Sequence, residues 1–244
     1  MNKCILCEQI IKIQFSVSFI FSFEKLEKKL VCKECLNSFE KIDLTTACKG
    51  CSRPQVNKKY CSDCKKWMDL YPEINLKHTA LYKYNTGAGE YMERFKFQGD
   101  VLLAEAFAEK IHEHLKQFEN THDIVPVPSS ESSIKQRGFN QVEVLLQHAE
   151  ITYQNVLTHI GKDKKQTSKS RQERIKTQQP FTLNENYEEH LNDMKPILLV
   201  DDVYTTGRTI LHAQIVLNQL SLKKIQKNET KRKVRTIKSF SLFR

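Results

Sequence analysis

Two adjacent carboxylates followed by hydroxyl-bearing residues form the part of this sequence best suited to bind a ligand. Asp201 and Asp202 come directly after the apolar run 198–200. The turn after them consists of Thr205, Thr206, Gly207, Arg208 and Thr209. Such a turn points backbone N–H groups and hydroxyls at a phosphate, and the N-terminus of a following helix adds favourable electrostatics. The carboxylates are placed to accept hydrogen bonds from two sugar hydroxyls, so the sequence predicts a site for a phosphorylated ribose.

The cysteines form a second group with a clear chemistry. All eight fall into four CxxC pairs, Cys4/Cys7, Cys32/Cys35, Cys48/Cys51 and Cys61/Cys64. The two-residue spacer lets two thiolates converge on one ion while turn N–H groups point at the sulfurs. Four pairs therefore predict two structural zinc ions, each with four thiolates and no position open to water. Sequential and interleaved pairing of the CxxC pairs are both open at this stage.

The elements that position these residues alternate from about residue 76 onward. The pattern predicts a buried strand over 124–127 and further strands over 155–160, 197–200 and 234–243. A period of 3.6 residues predicts helices over 141–150 and 208–220, and another that Asp100 caps, with Leu103, Phe107, Ile111, Leu115 and Phe118 on its apolar face. Strands separated by helices predict an α/β fold with a mainly parallel sheet, which binds ligands at the carboxyl ends of its strands.

The chain divides into a zinc-binding module over 1–70 and an α/β domain over 76–244. Between Cys7 and Cys32 the odd positions from Ile11 to Phe23 are apolar, which predicts a strand or hairpin beside the first metal site. So short a module buries little apolar surface, so metal should supply its folding free energy. The sequence thus predicts that loss of metal ligands unfolds the module and leaves the larger domain largely intact.

Composition favours a cytoplasmic protein without membrane insertion. Hydrophobic residues make up 39% of the chain and the mean hydropathy is −0.54. The stretch 10–23 is interrupted by polar residues and is too short to span a bilayer. Cys4 and Cys7 come before any continuous apolar segment, and no small-residue cleavage site follows, so a secretory signal is not predicted. A reducing cytoplasm would keep the thiols available to metal, which disfavours a disulfide framework.

The net charge of +10 is unevenly distributed. Residues 1–70 carry 13 Lys/Arg against 8 Asp/Glu, the basic loop (162–178) carries 7 against 2, and the basic tail (221–244) carries 9 against 1. The segments 71–161 and 179–220 are each net −4. Basic segments on an acidic core predict contact with a polyanion. The predicted DNA contacts are Lys164, Lys165, Lys169, Arg171, Arg174, Lys231, Arg232, Lys233 and Arg235.

The run 198–209 resembles the phosphoribosyl-pyrophosphate motif of the phosphoribosyltransferase family: an apolar strand, two acids and Thr-Thr-Gly-x-Thr. The resemblance implies that Asp201 and Asp202 bind the ribose 2′- and 3′-hydroxyls and that residues 205–209 cradle the 5′-phosphate. Magnesium would bridge the sugar hydroxyls and the pyrophosphate. Arg137 is the first candidate for a pyrophosphate contact, with Lys135 and Arg171 behind it.

Nearly the whole chain also resembles the ComF competence family, which joins a CxxC-rich zinc region to such a domain. Four landmarks occur in order: YMERFKFQGD at 91–100, Val-Pro-Val-Pro at 125–128, RGFNQ at 137–141 and the basic segment 166–174. The resemblance implies a role in natural transformation, in which single-stranded DNA is handled on the cytoplasmic side together with a competence DNA helicase. One alternative is an active phosphoribosyltransferase with an unidentified acceptor. Another is a phosphate sensor or DNA-terminus site without turnover.

Overall fold

The structure is a computed structural model that describes residues 3–11, 30–160, 179–184, 195–225 and 235–244. The strands are β1 (His78–Tyr82), β2 (Asp123–Pro126), β3 (Leu157–His159), β4 (Phe181–Leu183), β5 (Ile197–Val203) and β6 (Ile237–Phe243). The larger sheet has the order β1-β6-β5-β2 with every pair parallel, and β3 pairs antiparallel with β4. The predicted α/β fold with a mainly parallel sheet is confirmed.

The helices are α1 (Lys33–Asn37), α2 (Ser62–Leu70), α3 (Thr86–Phe97), α4 (Glu105–Leu115), α5 (Glu131–Arg137), α6 (Gln141–His148) and α7 (Arg208–Ile225). The predicted apolar face of α4 is buried, from Leu103 in the preceding 3-10 turn to Leu115. Asp100 does not cap this segment with its side chain, because its carboxylate accepts a hydrogen bond from Arg94 at 3.1 Å. Among the described residues, no helix combines the length and apolar character needed to cross a membrane.

Both faces of the parallel sheet are covered, which explains the unbroken apolar run of β5. Leu198 and Val200 contact a core that includes α3, α4 and α6, whereas Ile197 and Leu199 contact a core that includes α7, β3 and β4. Alternate residues of a strand point to opposite faces, so a strand buried on both sides must be apolar at every position. The first polar positions of β5 are therefore at its carboxyl end.

The cysteine clusters share these two cores instead of forming a separate one. Cys4 packs with Ile11, Val31 and the core that holds Leu198, while the cysteines from Cys48 to Cys64 pack with the core on the other face. The sequence-based expectation that the larger domain stays intact without the module therefore does not follow from the structure. Shared burial means that losing a cluster exposes apolar surface of the sheet as well. The hairpin predicted between Cys7 and Cys32 falls largely on residues 12–29, which lie outside the described residues.

Candidate functional site

The aspartate pair lies where the apolar burial of β5 ends. Asp202 is buried, and its Oδ2 lies 2.6 Å from Nζ of Lys96, near the C-terminus of α3. The Asp202 backbone N–H donates a hydrogen bond to Oδ1 of Asp201 at 2.9 Å. The side chains of Asp202 and Lys96 are only 6% and 20% exposed. This ion pair is therefore largely shielded from water, and it holds one member of the carboxylate pair in place.

The two carboxyl groups differ in their electrostatics. Burial, together with the neighbouring Asp202 charge, raises the pKa of Asp201 to about 7. Burial also acts to raise the pKa of Asp202, but the Lys96 ammonium and a hydrogen bond from Gln141 outweigh it and lower that pKa below its ordinary value. Near neutral pH the pair carries one firm negative charge and one group close to half-protonation. A divalent cation that neutralises the pair would favour release of the Asp201 proton.

The phosphate loop (residues 205–209) follows β5 and includes the first two residues of α7. Gly207 has φ +81°, and a Cβ at this position would collide with the hydroxyl oxygen of Tyr204, so only glycine fits. The Leu211 N–H donates to the Gly207 carbonyl at 2.9 Å, which starts the hydrogen bonding of α7. Thr205 and Thr209 are exposed beside it. The first turn of a helix has N–H groups without intrahelical partners, so this loop can bind an anion.

Burial lowers the pKa of Arg137, and the guanidinium lies close enough to Asp202 for the carboxylate charge to oppose that lowering. Nη1 of Arg137 donates to Oε1 of Gln141 at 3.1 Å. The guanidinium carbon lies 5.1 Å from the ring centroid of Phe97. Gly138 with φ +85° ends α5, so that α6 begins with Gln141 at the site. Lys135 is different, because it is exposed and pairs with Glu131 at 2.6 Å.

Trp67 and Arg244 connect the phosphate loop to the second Cys4 cluster (Cys48, Cys51, Cys61 and Cys64) by hydrogen bonds. Nε1 of Trp67 donates to the Thr206 carbonyl at 2.8 Å. Arg244 donates from Nη1 to the Thr205 carbonyl at 3.2 Å, from Nη2 to Sγ of Cys51 at 3.2 Å, and from Nε to the Cys51 carbonyl at 3.0 Å. One guanidinium therefore bridges a cysteine ligand and the loop.

The cysteines form two compact groups that fit a tetrahedral ion. Cys4, Cys7, Cys32 and Cys35 make the first Cys4 cluster, and in each cluster the sulfur atoms lie within 4.8 Å of one another. The Sγ atoms of Cys7 and Cys32 are 3.8 Å apart, and those of Cys48 and Cys64 are 3.7 Å apart. Zn–S bonds of about 2.3 Å in a tetrahedron require S···S separations of about 3.8 Å. All eight thiols are free of disulfides. The two sites could hold structural zinc, and the sequential grouping is the one observed.

Of the predicted DNA contacts, the structure describes only Arg235, and its guanidinium is buried. Its Nη2 pairs with Oδ2 of Asp123, and its Nε donates to the Lys195 carbonyl. The side chains of the ion pair are 7% and 5% exposed, so Arg235 cannot reach a DNA phosphate without breaking it. The residues outside the described ranges are Lys164, Lys165, Lys169, Arg171, Arg174, Lys231, Arg232 and Lys233.

Four residues of the site had no assigned role from the sequence: Lys96, Gln141, Trp67 and Arg244. Two of them carried a signal, because Lys96 lies in the landmark 91–100 and Gln141 ends the landmark 137–141. The other two had none that points to the loop. Trp67 and its partner Thr206 are 139 positions apart in the sequence, and Arg244 and its partner Cys51 are 193 positions apart.

No family model matches the chain. Competence protein ComFC of Streptococcus pneumoniae (strain ATCC BAA-255 / R6) is 32% identical over 224 residues, which cover 92% of this chain and 97% of that protein. This chain belongs to the ComF competence family. Competence protein ComFC of Bacillus subtilis (strain 168) is 29% identical over 245 residues, which cover 99% of this chain and 94% of the relative. Competence protein F of Haemophilus influenzae (strain ATCC 51907 / DSM 11121 / KW20 / Rd) is 26% identical over 192 residues, which cover 68% of this chain and 82% of that protein.

Membership in the ComF family confirms the resemblance inferred from the landmarks and supports a competence role. The Bacillus subtilis relative matches over 99% of this chain, so the matched region spans both cysteine clusters and the aspartate pair.

Proposed function

We propose that this ComF-family protein binds phosphoribosyl pyrophosphate or a related ribose phosphate, together with magnesium, and handles single-stranded DNA in the cytoplasm during natural transformation. A competence DNA helicase is the proposed protein partner, and each Cys4 cluster is proposed to hold one structural zinc ion. One observation carries the ligand proposal. An aspartate pair with one buried, Lys96-paired carboxylate and one partly exposed carboxyl ends a central parallel strand, and a glycine turn that can bind an anion follows at once.

The side chains around this pair suggest how the ligand would be held. Asp201 and Asp202 would accept hydrogen bonds from the ribose hydroxyls, and the phosphate loop would bind the 5′-phosphate. Magnesium, when bound, would neutralise charge shared between the pyrophosphate and the carboxylates. Lys96 neutralises Asp202 at 2.6 Å, so only part of the acidic charge needs a cation. Arg137, which lies close to Asp202, would contact the pyrophosphate.

Calorimetric titration of phosphoribosyl pyrophosphate, with and without magnesium, tests the ligand proposal. Wild-type protein should bind in the presence of magnesium and melt at a higher temperature, because the ligand binds only the native state. Replacing Asp201 and Asp202 together with Asn should abolish both effects. Asp100→Asn is the matched control, since Asp100 also forms an ion pair, with Arg94, but lies outside the pair. Absence of binding by wild-type protein at millimolar ligand would refute the proposal.

The same preparations distinguish ligand binding from enzymatic transfer. A phosphoribosyltransferase releases pyrophosphate when an acceptor attacks the ribose. Pyrophosphate release with a panel of bases and amines would support the enzymatic alternative, provided that it is lost in the double Asn variant. Binding without release would support a sensing or positioning role for the ligand.

The DNA proposal is tested by the salt dependence of binding to single-stranded oligonucleotides. The logarithm of affinity should fall with the logarithm of salt by about 0.7 for each phosphate neutralised. Changing Lys231, Arg232 and Lys233 to Ala should flatten the slope by about 2 if all three contact phosphates. Changing the basic loop at Lys164, Lys165 and Lys169 should do the same.

A charge-matched control separates phosphate contact from net charge. Lys110, Lys116 and Lys135 each pair with a glutamate in the acidic part of the chain. Replacing these three lysines with Ala removes the same formal charge and should leave the slope close to that of wild type. Equal slopes for the wild type, the tail variant and the loop variant would remove the charge argument for DNA contact.

A further inference from the structure

We infer that Trp67 and Arg244 are positioning residues that couple the second Cys4 cluster to the phosphate loop, so that metal in the cluster and an anionic ligand in the loop stabilise one another. This inference rests on the proposed ribose-phosphate site. It adds a dependence of that site on a metal cluster.

The position of Trp67 follows from that of the cluster. Helix α2 starts directly after Cys61, and Cys64 and Trp67 lie three residues apart on it, both buried. Residues at this spacing share one helix face. The Cys64 thiolate, which would bind the metal, and the Trp67 indole, which contacts the loop, are therefore held on one rigid helix face. The indole N–H reaches the Thr206 carbonyl at 2.8 Å.

Arg244 makes the second connection, from the end of β6. Its guanidinium donates to the carbonyl and sulfur of Cys51 and to the carbonyl of Thr205. It also lies 5.0 Å from the ring centroid of Tyr204, whose hydroxyl packs against Gly207. The ring of Tyr204 is 4.1 Å from that of His78. A shift of Cys51 would therefore reach the loop both through hydrogen bonds and through the packing under Gly207.

These contacts orient the donors that an anion would use. In a planar trans peptide the N–H of one residue points opposite to the carbonyl of the residue before it. Holding the carbonyls of Thr205 and Thr206 toward the cluster therefore turns the N–H groups of Thr206 and Gly207 away from it. Without metal, four thiols would no longer be held together, and both anchors would lose their fixed positions. Because coupling between two binding events is reciprocal, a bound anion should raise the zinc affinity of the cluster. Affinity changes of one site lie mostly in the dissociation rate, so we expect slower metal loss.

The first test needs no ligand and uses release of zinc to a chelating dye. The first cluster, which contains exposed Cys7, should release its ion first, so the slow phase reports the fully buried second cluster. Gly207→Ala should displace Tyr204 and speed the slow phase severalfold, and Arg244→Lys should do the same. Arg53→Lys is the matched control, because Arg53 pairs with Asp63 beside the same cluster. A slow phase for Gly207→Ala equal to that of wild type would overturn the coupling.

The second test uses phosphoribosyl pyrophosphate with magnesium as the probe. Trp67→Phe keeps an aromatic ring but loses the donor, and it should weaken binding by up to about fivefold, because one hydrogen bond of about 1 kcal/mol is the most that this contact can contribute to the coupling. Arg244→Lys should weaken binding at least as much, and Arg53→Lys should bind like wild type. Trp67 is the single tryptophan of the chain, so ligand binding should also change the emission of the wild type.

The outcomes separate the two hypotheses. Wild-type protein that does not bind the probe contradicts the proposed function, and the Gly207→Ala release experiment then decides the coupling by itself. If wild-type protein binds the probe and both variants bind it equally well at equal zinc content, the coupling is wrong and the proposed function stands. Slower zinc release from wild-type protein in the presence of the probe supports both.

Discussion

Changing Asp201 or Asp202 to asparagine should shift the free energy of unfolding in opposite directions. Asp201→Asn removes a charge that the native state disfavours, and the amide oxygen can still accept the Asp202 N–H. Asp202→Asn removes the partner of Lys96, whose side chain is only 20% exposed. We therefore expect the first variant to be more stable than wild type and the second to be less stable. Both should lose binding of the proposed ribose phosphate.

The magnitude of the Asp201 effect follows from its pKa. A rise from 3.8 to about 7 corresponds to about 4 kcal/mol in full, and because this carboxyl is partly accessible to water we expect about half of that. A carboxyl with a raised native pKa contributes stability at low pH that is lost as pH rises through the native pKa. The advantage of Asp201→Asn should therefore grow up to about pH 7 and stay constant above it.

The Asp202 effect has the other sign and a different pH dependence. A lowered native pKa contributes stability that is present above the ordinary value and is lost only as pH falls through the native pKa. The loss of the Asp202 charge itself should cost the same from pH 5.5 to 8.5, but Asp201 also loses the neighbouring charge that raises its pKa, so the total cost of Asp202→Asn should shrink as pH rises toward 7. Breaking a buried ion pair costs about 3–5 kcal/mol, and because Asp201 can replace the lost partner we expect about 1–3 kcal/mol.

Urea unfolding of the zinc-loaded protein at several values between pH 5.5 and 8.5, followed by circular dichroism and Trp67 emission, checks both signs. The double Asn variant should be no more stable than Asp202→Asn, because no carboxylate of the pair then remains to neutralise Lys96. A destabilised Asp201→Asn variant at pH 8, or an advantage that does not change between pH 5.5 and 7, would refute the proposed charge distribution of the pair.

Three further predictions concern the rest of the chain. Protein purified without chelator should contain about two zinc ions by metal analysis, because the two clusters supply eight free thiols; less than one would contradict this. Changing Cys48 and Cys51 to Ser should lower the denaturation midpoint of the whole chain in one transition, since the cluster shares a core with β5. A separate unfolding transition for an intact sheet would show that packing against the cluster contributes little to the stability of the sheet. Arg235→Ala should lower the free energy of unfolding in urea by about 3 kcal/mol, because it leaves the buried Asp123 carboxylate without its ion-pair partner. It should not change the salt slope of DNA binding.

Local sequence pattern was sufficient for the features that depend on neighbouring residues. The apolar run of β5 predicted a strand covered on both faces, and the two acids with Thr-Thr-Gly-x-Thr predicted a ligand site at its carboxyl end. Gly207 has the positive φ that such a turn requires. The CxxC spacing predicted metal ligands for the same reason, since two thiolates two residues apart can reach one ion without help from distant parts of the chain.

The tertiary structure decided which distant residues meet. The sequence left open whether the cysteines pair sequentially, and it contained no signal that Trp67 and Arg244 would contact a loop 139 and 39 positions away. It predicted one acidic pair, but the inequality between Asp201 and Asp202 arises only because α3 places Lys96 against one carboxylate in a shielded site. A pattern of residue types specifies what each segment can bury or bind locally. Which long-range contacts form, and the pKa values that follow from them, depends on how the segments pack around a common core.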